Sequence, residues 1–448
     1  MKTLPADNPP FLSLAAFSDR RNFVRSFDRF LDSFVECHPG YSVIQPALLP
    51  LIVPSSIARS IWRTTQDCLQ ALKQVPINRF SEDFLALMEV LGYSRSDRHW
   101  LQTMTNPNGI NLATAFARAD FVISKDGVRL VEVNVGPTIG GIGILDRYAD
   151  IFEVASRAFL DSGLRGRIVM PRPTQTLARC LQACFAANGS VRNHRLRIAL
   201  VVADDEATVP HPFEAADYLK PEGIDAEVVR TCDISFKGRH VECLGKPVDI
   251  IYGCFTFDQM GEQQYRHFVE DAMACRREGG PLYIAPPVFT LFGNKGMLTY
   301  IDEMRPSHVT PCLAKSYRLE DQASRAVDHQ EGLVLKPRIG LGGKGVMIGR
   351  DCTPKQWIQA IETALTVPHQ YVLQEYIAPM PIELPTSRGM IPYQIGIGCL
   401  ALCGQFGGFL VRQAPAISGG VINCKQGATF AGACMVDDSY LAAIGERP

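Results

Sequence analysis

Apolar residues recur every three to four positions through FSDRRNFVRSFDRFLDSFVE and again through SIARSIWRTTQDCLQALKQV. That spacing gives a helix one apolar face, so residues from about 17 to 105 are predicted mostly helical. Near Ala119 the pattern shortens. ADFVIS and VRLVEVNV read as strands, with Lys125-Asp126-Gly127 as the hairpin turn between them. The Pro- and Gly-rich GPTIGGIG follows, then a helical pattern to about Ala187, then ANGSVRNHR as a boundary loop.

Residues 195 to 290 alternate between the two periods. LRIALVVAD, DAEVVR, VDIIYGCF and LYIAPP are strand-like, while PFEAADYLKPEG and QQYRHFVEDAMACRR are helical. This βαβ rhythm predicts a small parallel α/β lobe. From Phe292 the rhythm changes again. LVLKP and GVMIGR flank a glycine-rich loop. Thr353, Pro354 and Gln356 then form the capping box of a helix. QYVLQEYI is the next strand, and IPYQIGIGCLALCGQFGGFLVRQ reads as two strands joined by Gly404-Gln405-Phe406-Gly407. The expected division is a helical region 1–110, a hairpin with helices 111–190, an α/β lobe 191–290, and an α+β lobe 291–448.

Composition narrows the class. The 448 residues allow two or three lobes with their own cores. Hydrophobic residues at 46% and charged residues at 20% are the balance of a soluble globular protein. A formal net charge of -1 gives no bulk attraction to nucleic acid or anionic membrane. No signal peptide and no run of 18 apolar residues is found. The 14 cysteines are scattered without a C-x-x-C. Cys180 with Cys184 and Cys399 with Cys403 share a C-x-x-x-C spacing with no histidine close enough for a zinc pattern. Buried reduced thiols and a cytoplasmic location are expected.

Several residues point to chemistry. A three-residue turn, Lys125 to Gly127, would set Asp120 across from Glu132, with Asn134 on the same face. Two carboxylates so placed repel unless a positive group lies between them, and a hard divalent cation with Asp, Glu and Asn oxygens answers that need. Taken alone, two acids facing solvent would explain the same residues. Lys336-Pro337-Arg338-Ile339-Gly340-Leu341-Gly342-Gly343-Lys344-Gly345 contains a G-x-G-x-x-G, but a strand follows it, which excludes a dinucleotide fingerprint. Gly345 stands where a P-loop needs Ser or Thr. What remains is a hairpin of exposed N–H groups with Lys344 inside and Lys336 behind, suited to phosphate. Gln374-Glu375-Tyr376 ends an apolar strand whose backbone could meet an adenine edge, with Glu375 on a ribose hydroxyl. Lys295, after a buried strand, could reach a phosphate. Arg412, inside an apolar run with Asn423 beyond it, needs an anionic partner if buried.

The order of these pieces resembles the ATP-grasp superfamily. R-x-D at Arg118 to Asp120 and E-x-N at Glu132 to Asn134 come first. N-K at Asn294-Lys295, K-P at Lys336-Pro337, the glycine-rich hairpin and Q-E-Y follow. An E-x-N ahead of the lysines is similar to the circularly permuted branch, which holds glutathionylspermidine synthetase and the eukaryotic glutathione synthetases. The resemblance spans about Phe116 to Asn423. It implies an ATP-grasp fold of mixed α/β and α+β class, with a helical N-terminal region and a small Rossmann-like lobe. It implies ATP and Mg²⁺ as cofactors. Asp120, Glu132 and Asn134 would hold the metal, and Arg118 and Arg412 would be catalytic. Lys295, Lys336, Gly340, Gly342, Gly343, Lys344, Gly345, Gln374, Glu375 and Tyr376 would bind the nucleotide.

The implied activity is ligation of a small-molecule carboxylate to an amine through an acyl phosphate, releasing ADP and phosphate. The expected partners are those substrates, with no nucleic acid and no membrane; a homodimer stays open. Gly342-Gly343-Lys344-Gly345 replaces the R-E-G of the glutathionylspermidine branch, and no amidase domain precedes the hairpin, which argues against spermidine and glutathione. A small-molecule kinase on the same fold and a non-catalytic nucleotide binder are the alternatives. A redox enzyme is disfavoured, because Asp204-Asp205-Glu206 follow LRIALVVAD where a pyrophosphate would sit.

Overall fold

The computed structural model describes residues 35, 39–42, 44–47, 49–104, 110–157, 167–188, 195–204, 210–301, 304, 312–340, 342–386, 389–416 and 420–439. Outside them lie nearly all of the predicted helix 17–36, most of ANGSVRNHR, and Asp205, Glu206 and Leu341.

After β1 (Leu51–Pro54), the chain forms the helix Ser55–Phe80. Ala58, Ile61, Thr65, Cys68, Leu72 and Val75 are buried along it, at the three- and four-residue steps seen in the sequence. The helix stops where Ser81 turns left-handed, with φ 48°. The helices Phe84–Val90 and Arg95–Met104 complete this region.

The hairpin is β2 (Phe116–Ser124) and β3 (Gly127–Val135). Helices Ile144–Ser156 and Pro173–Ala187 follow. The α/β lobe then contributes β4 (Leu196–Val202) and β5 (Ile224–Val229). A meander of β6 (Ile234–Lys237), β7 (His240–Cys243) and β8 (Lys246–Pro247) comes next; the sequence pattern did not announce it. The lobe closes with β9 (Ile250–Cys254) and β10 (Leu282–Ile284). Its sheet runs β10-β9-β4-β5, all parallel, as the βαβ rhythm predicts.

Next come β11 (Ser316–Arg318), β12 (Leu333–Pro337), β13 (Met347–Ile348) and β14 (Tyr371–Glu375), in an antiparallel sheet of order β11-β14-β12-β13. The helix Pro354–Leu365 opens on Thr353 with the predicted capping box. It drives Trp357 and Ile361 against Leu333, Leu335 and Leu373, making a separate small core.

The last strands are β15 (Ile382–Thr386), β16 (Gly389–Leu402), β17 (Gln405–Pro415), β18 (Thr429–Ala431) and β19 (Ala433–Val436). They do not stay with the lobe expected at 291–448. β16 pairs with β2 from Gly396↔Val122 to Leu402↔Phe116. One sheet therefore runs β18-β17-β16-β2-β3, with β15 on β16. Its centre is the fourteen-residue β16, whose second half is wholly buried and so needs a strand on each side. The turn between β16 and β17 is Cys403-Gly404, tighter than the predicted four residues, with φ 48° and 74°. Parallel β1 and β19 tie the beginning of the described chain to its end.

Cys180 and Cys403 form a disulfide, with Cys184 Sγ 3.9 Å from Cys403. This departs from the expected reduced thiols at that one pair, because the β16–β17 turn packs on the face of the helix Pro173–Ala187 that carries Cys180 and Cys184; the eleven other described cysteines are free. Among the described residues no helix is long and apolar enough to cross a membrane.

Candidate functional site

The site is built on the β2–β3 hairpin. Ser124 pairs with Gly127, so the turn is the two residues Lys125-Asp126, shorter than expected. With that turn alone, Asp120 would face Val131. A bulge corrects it. Phe121 pairs with Leu130, Asp120 pairs with Glu132, and Val131 is the extra residue between. The bulge lets Phe121 and Leu130 both enter the core while Asp120 and Glu132 share the opposite face. The expected pairing is thus present, but Val131 sets it and not a three-residue loop.

Asp120 is 3% exposed and takes hydrogen bonds on both oxygens. Arg118 Nε donates to Oδ1 at 2.7 Å and Nη2 to Oδ2 at 3.0 Å. Arg412 Nη2 reaches Oδ2 at 2.8 Å, and Asn134 Nδ2 donates to the same oxygen at 2.9 Å. Burial pushes the Asp120 carboxyl up, but the two guanidiniums outweigh it and hold it at about 2. Glu132 is answered separately, by Lys295 Nζ at 3.1 Å from Oε1. Burial raises its carboxyl, and Lys295 and Lys336 more than reverse that. The repulsion expected between the two acids is therefore met by the protein's own cations.

Lys295 does not follow a strand, as expected. It begins a 3-10 turn after the short helix Phe289–Gly293. Its N–H donates to Arg338 O at 3.0 Å, and its Nζ also donates to Gly340 O at 2.9 Å. One ammonium thus joins the hairpin acid to the glycine-rich loop. Lys336 on β12 donates to Gln374 Oε1 at 2.6 Å and to the carbonyl of the bulged Val131 at 3.4 Å. Burial drives its ammonium down to about 8 against the upward pull of Glu132. The loop itself rests on the segment after β17: Gln426 Nε2 donates to Gly342 O at 3.4 Å. Gly343 has φ +76°, a backbone conformation that favours glycine, and a Cβ there would displace the end of the Gln426 side chain, 2.9 Å away.

Gln374 and Glu375 are used differently from expectation. β14 lies between β11 and β12, so its backbone from Val372 to Gln374 is taken up by the sheet. Gln374 bridges Lys336 and Ser316, its Nε2 donating to Ser316 Oγ at 2.9 Å. Glu375 pairs with Arg129 at 3.4 Å, and the chain leaves the sheet at Tyr376, over which Arg350 stacks at 5.3 Å.

One cavity of about 440 Å³ gathers these groups. Arg118, Asp120, Glu132, Asn134, Lys295, Lys336, Gly340, Gly342, Gly343, Lys344, Gln374, Glu375, Tyr376 and Arg412 all line it; Gly345 does not, and packs on Pro337. Asn423 lines it as well. Sequence reasoning missed Gly398, which pairs with Asp120 from β16. A Cβ there would lie 2.6 Å from Arg118 Cδ and 2.9 Å from Asp120 Oδ1. Its signal was a glycine inside a strand, which marks a close approach.

No protein-family model and no curated protein matches the sequence. The structure is similar to a glutathione synthetase like-effector from Globodera pallida in its apo form, with TM-score 0.59 and 13% identity over 94% of this chain and 98% of that one. A putative gamma-glutamylcysteine synthetase from Methylobacillus flagellatus KT superposes with TM-score 0.37 and 12% identity, covering 80% of this chain and 88% of that one. The ATP-grasp ligase PsnB, complexed with minimal precursor, superposes with TM-score 0.28 and 12% identity over 53% of this chain and 89% of that one. The chain shares the fold of that glutathione synthetase like-effector.

Proposed function

We propose that the chain is an ATP-dependent carboxylate–amine ligase. The observation that carries this reading is the charge of the cavity. Arg118, Arg412, Lys295 and Lys336 converge on only Asp120 and Glu132, an excess of two positive charges in a half-buried space. Mg-ATP carries about the opposite charge, its four phosphate charges less two for the metal, so the two are complementary. Arg412 Nε is a buried donor with no hydrogen-bond partner, which leaves it for a carboxylate or phosphate oxygen.

The donor set suits the cofactors that the fold implies. Asn134 gives its amide nitrogen to Asp120, which leaves Oδ1 for a cation, and Glu132, paired with Lys295 through Oε1, keeps Oε2. These hard oxygens fit Mg²⁺. Asp120 would offer a further oxygen where phosphate oxygens take up the guanidinium bonds of Arg118 and Arg412. The metal would neutralise charge on the phosphoryl oxygens. Lys295 and Lys336 hold the phosphates, and Gly340 to Gly345 cover them and exclude water. Adenine would meet the backbone at Tyr376 and beyond, where the chain has left β14. The substrate carboxylate attacks the γ-phosphorus, ADP leaves, and the amine then displaces phosphate from the acyl phosphate to give the amide. The test is ADP release measured against a panel of carboxylates and amines, with mass spectrometry of the product. A kinase would release ADP without an amine; the ligase needs one for sustained turnover.

Nucleotide affinity will depend on pH through Lys336. Phosphate binds its charged form, so the KM for ATP stays flat below about 8, the value to which burial lowers the ammonium. Above it, KM rises by about tenfold per pH unit, as expected for one proton taken up on binding. Lys336→Arg, which stays charged, removes that limb. A KM independent of pH up to 9 in the wild type sinks this expectation.

Gly398→Ala tests the arginine geometry. The added Cβ pushes Arg118 off Asp120 and lowers the rate of ADP formation by roughly 10²-fold, since small misplacements of positioning groups cost that much. The urea midpoint falls as well, because the displaced Arg118 is one of the two guanidiniums paired with buried Asp120. Wild-type turnover would mean that Arg118 does not act from the position it occupies.

A further inference from the structure

Half of the cavity takes no part in the charge network. In the parallel lobe the chain runs from β4 to β5 on one side and returns to β9 on the other, so strand order reverses between β4 and β9. Open parallel sheets bind ligands outside the carboxyl ends of their strands at such a reversal. Leu200 near the end of β4, with Tyr252 and Cys254 at the end of β9, line the cavity there. The facing walls are Ile142 from the loop after β3, Leu177 from the helix Pro173–Ala187, and Leu410 from β17. All but Cys254 are large and apolar or aromatic, and the Tyr252 hydroxyl is taken up by Pro137 O at 3.3 Å; Thr138, His211 and Thr256 add polar groups to the lining, none of them an acid.

Charge decides what this half can hold. Among the described residues that line the cavity, the acids are Asp120, Glu132 and Glu375. Each is already paired with an arginine or lysine. None stands at the apolar end, so an ammonium lodged there would lose its water without an ionic partner. The two halves meet at Gly140. A Cβ on that glycine would lie 3.4 Å from Arg118 Nη1 and 3.7 Å from His211 Cε1. A carboxylate at Arg118 and Arg412 therefore leaves a short side chain's reach into the apolar end.

We propose that this end recognises an amino acid with an uncharged apolar side chain, its carboxylate turned to Arg118 and Arg412. The inference rests on the ligase reading for its place in the reaction, and on the cavity wall for its selectivity. Burying a leucine or phenylalanine side chain is worth enough to tighten binding by about ten- to a hundredfold over glycine.

The experiment is calorimetric titration of the full chain, with Mg²⁺ and a non-hydrolysable ATP analogue, by L-leucine, L-phenylalanine, glycine, L-lysine, L-aspartate and spermidine. Leucine or phenylalanine should bind at least tenfold more tightly than the rest. Equal or tighter binding of lysine, aspartate or spermidine overturns the proposal, as does no binding of any apolar amino acid. ADP release with the same panel separates the two readings. Release favouring charged substrates overturns the pocket and leaves the ligase. Apolar binding without ADP release from any acid and amine pair supports the pocket and overturns the ligase. Leu177→Ala enlarges the wall and should shift preference toward phenylalanine by about tenfold. Ile142→Ala, in the loop, repeats that test if the first variant does not fold. An unchanged leucine to phenylalanine ratio in the folded variant counts against the proposal.

Discussion

Lys336→Ala is expected to abolish measurable ADP formation, a loss of at least roughly 10³-fold if phosphate charge is stabilised from this position. The ammonium sits between the bulged Val131 carbonyl, at 3.4 Å, and Gln374 Oε1, at 2.6 Å. It is one of two lysines facing Glu132, and no other described cation reaches the cavity from β12. Alanine removes the charge but little of the fold. Gln374 keeps its bond to Ser316 through Nε2, so the cost is about one hydrogen bond, roughly 1 kcal/mol. Glu132→Gln should have a similar effect on turnover by a different route. It preserves shape, deprives Lys295 of its ion pair, and weakens the oxygen offered to a cation. Both proteins should stay folded, with urea midpoints lowered by the loss of one hydrogen bond at Lys336 and of one partly buried ion pair at Glu132. ADP release at the wild-type rate in either one removes the site from the reaction.

The ease of reading this chain followed the range of the interactions involved. The helix Ser55–Phe80, the capping box at Thr353 and the parallel lobe depend on neighbours a few residues apart, and periodicity exposes them. The set Asp120, Glu132 and Asn134 was also legible, yet its register comes from a bulge at Val131 that no local signal separates from a longer turn. Pairings made at long range were hidden. β16 joins β2 across more than 270 residues of chain, so a boundary at 291 drawn from local rhythm cuts through a continuous sheet. Gln374 and Glu375 do line the cavity, but their partners Lys336, Ser316 and Arg129 come from other strands, and nothing in QYVLQEYI announces them. The partners of Asp120 were hidden for the same reason. Nothing near Asp120 in sequence announces that Arg412, from β17, shares its carboxylate with Arg118.

That shared carboxylate gives the largest expected effect on stability. Arg118 and Arg412 keep only 13% and 11% of their side chains exposed, and Asp120 is their common counter-charge. Asp120→Ala leaves two guanidiniums close together in a half-dry cavity with the Asn134 amide also unpartnered. Removing one member of a buried ion pair costs about 3–5 kcal/mol, and a pair of like charges left behind places this site toward the upper end. Replacing Arg412 by leucine as well should restore part of the loss, since one of the stranded charges goes with it. The acid side supplies an independent check. Arginine pairing outweighs burial and holds Asp120 at about 2, below the ordinary 3.8, so its contribution is present above the ordinary value and fades as pH falls toward 2. Wild-type urea midpoints should therefore drop across that window, and Asp120→Asn should flatten the drop while starting lower. Mg-ATP at saturating concentration should raise the wild-type midpoint and do little for Asp120→Ala. If Asp120→Ala unfolds at the wild-type midpoint, the arginines find compensation elsewhere, and the electrostatic frame assigned to this hairpin is mistaken.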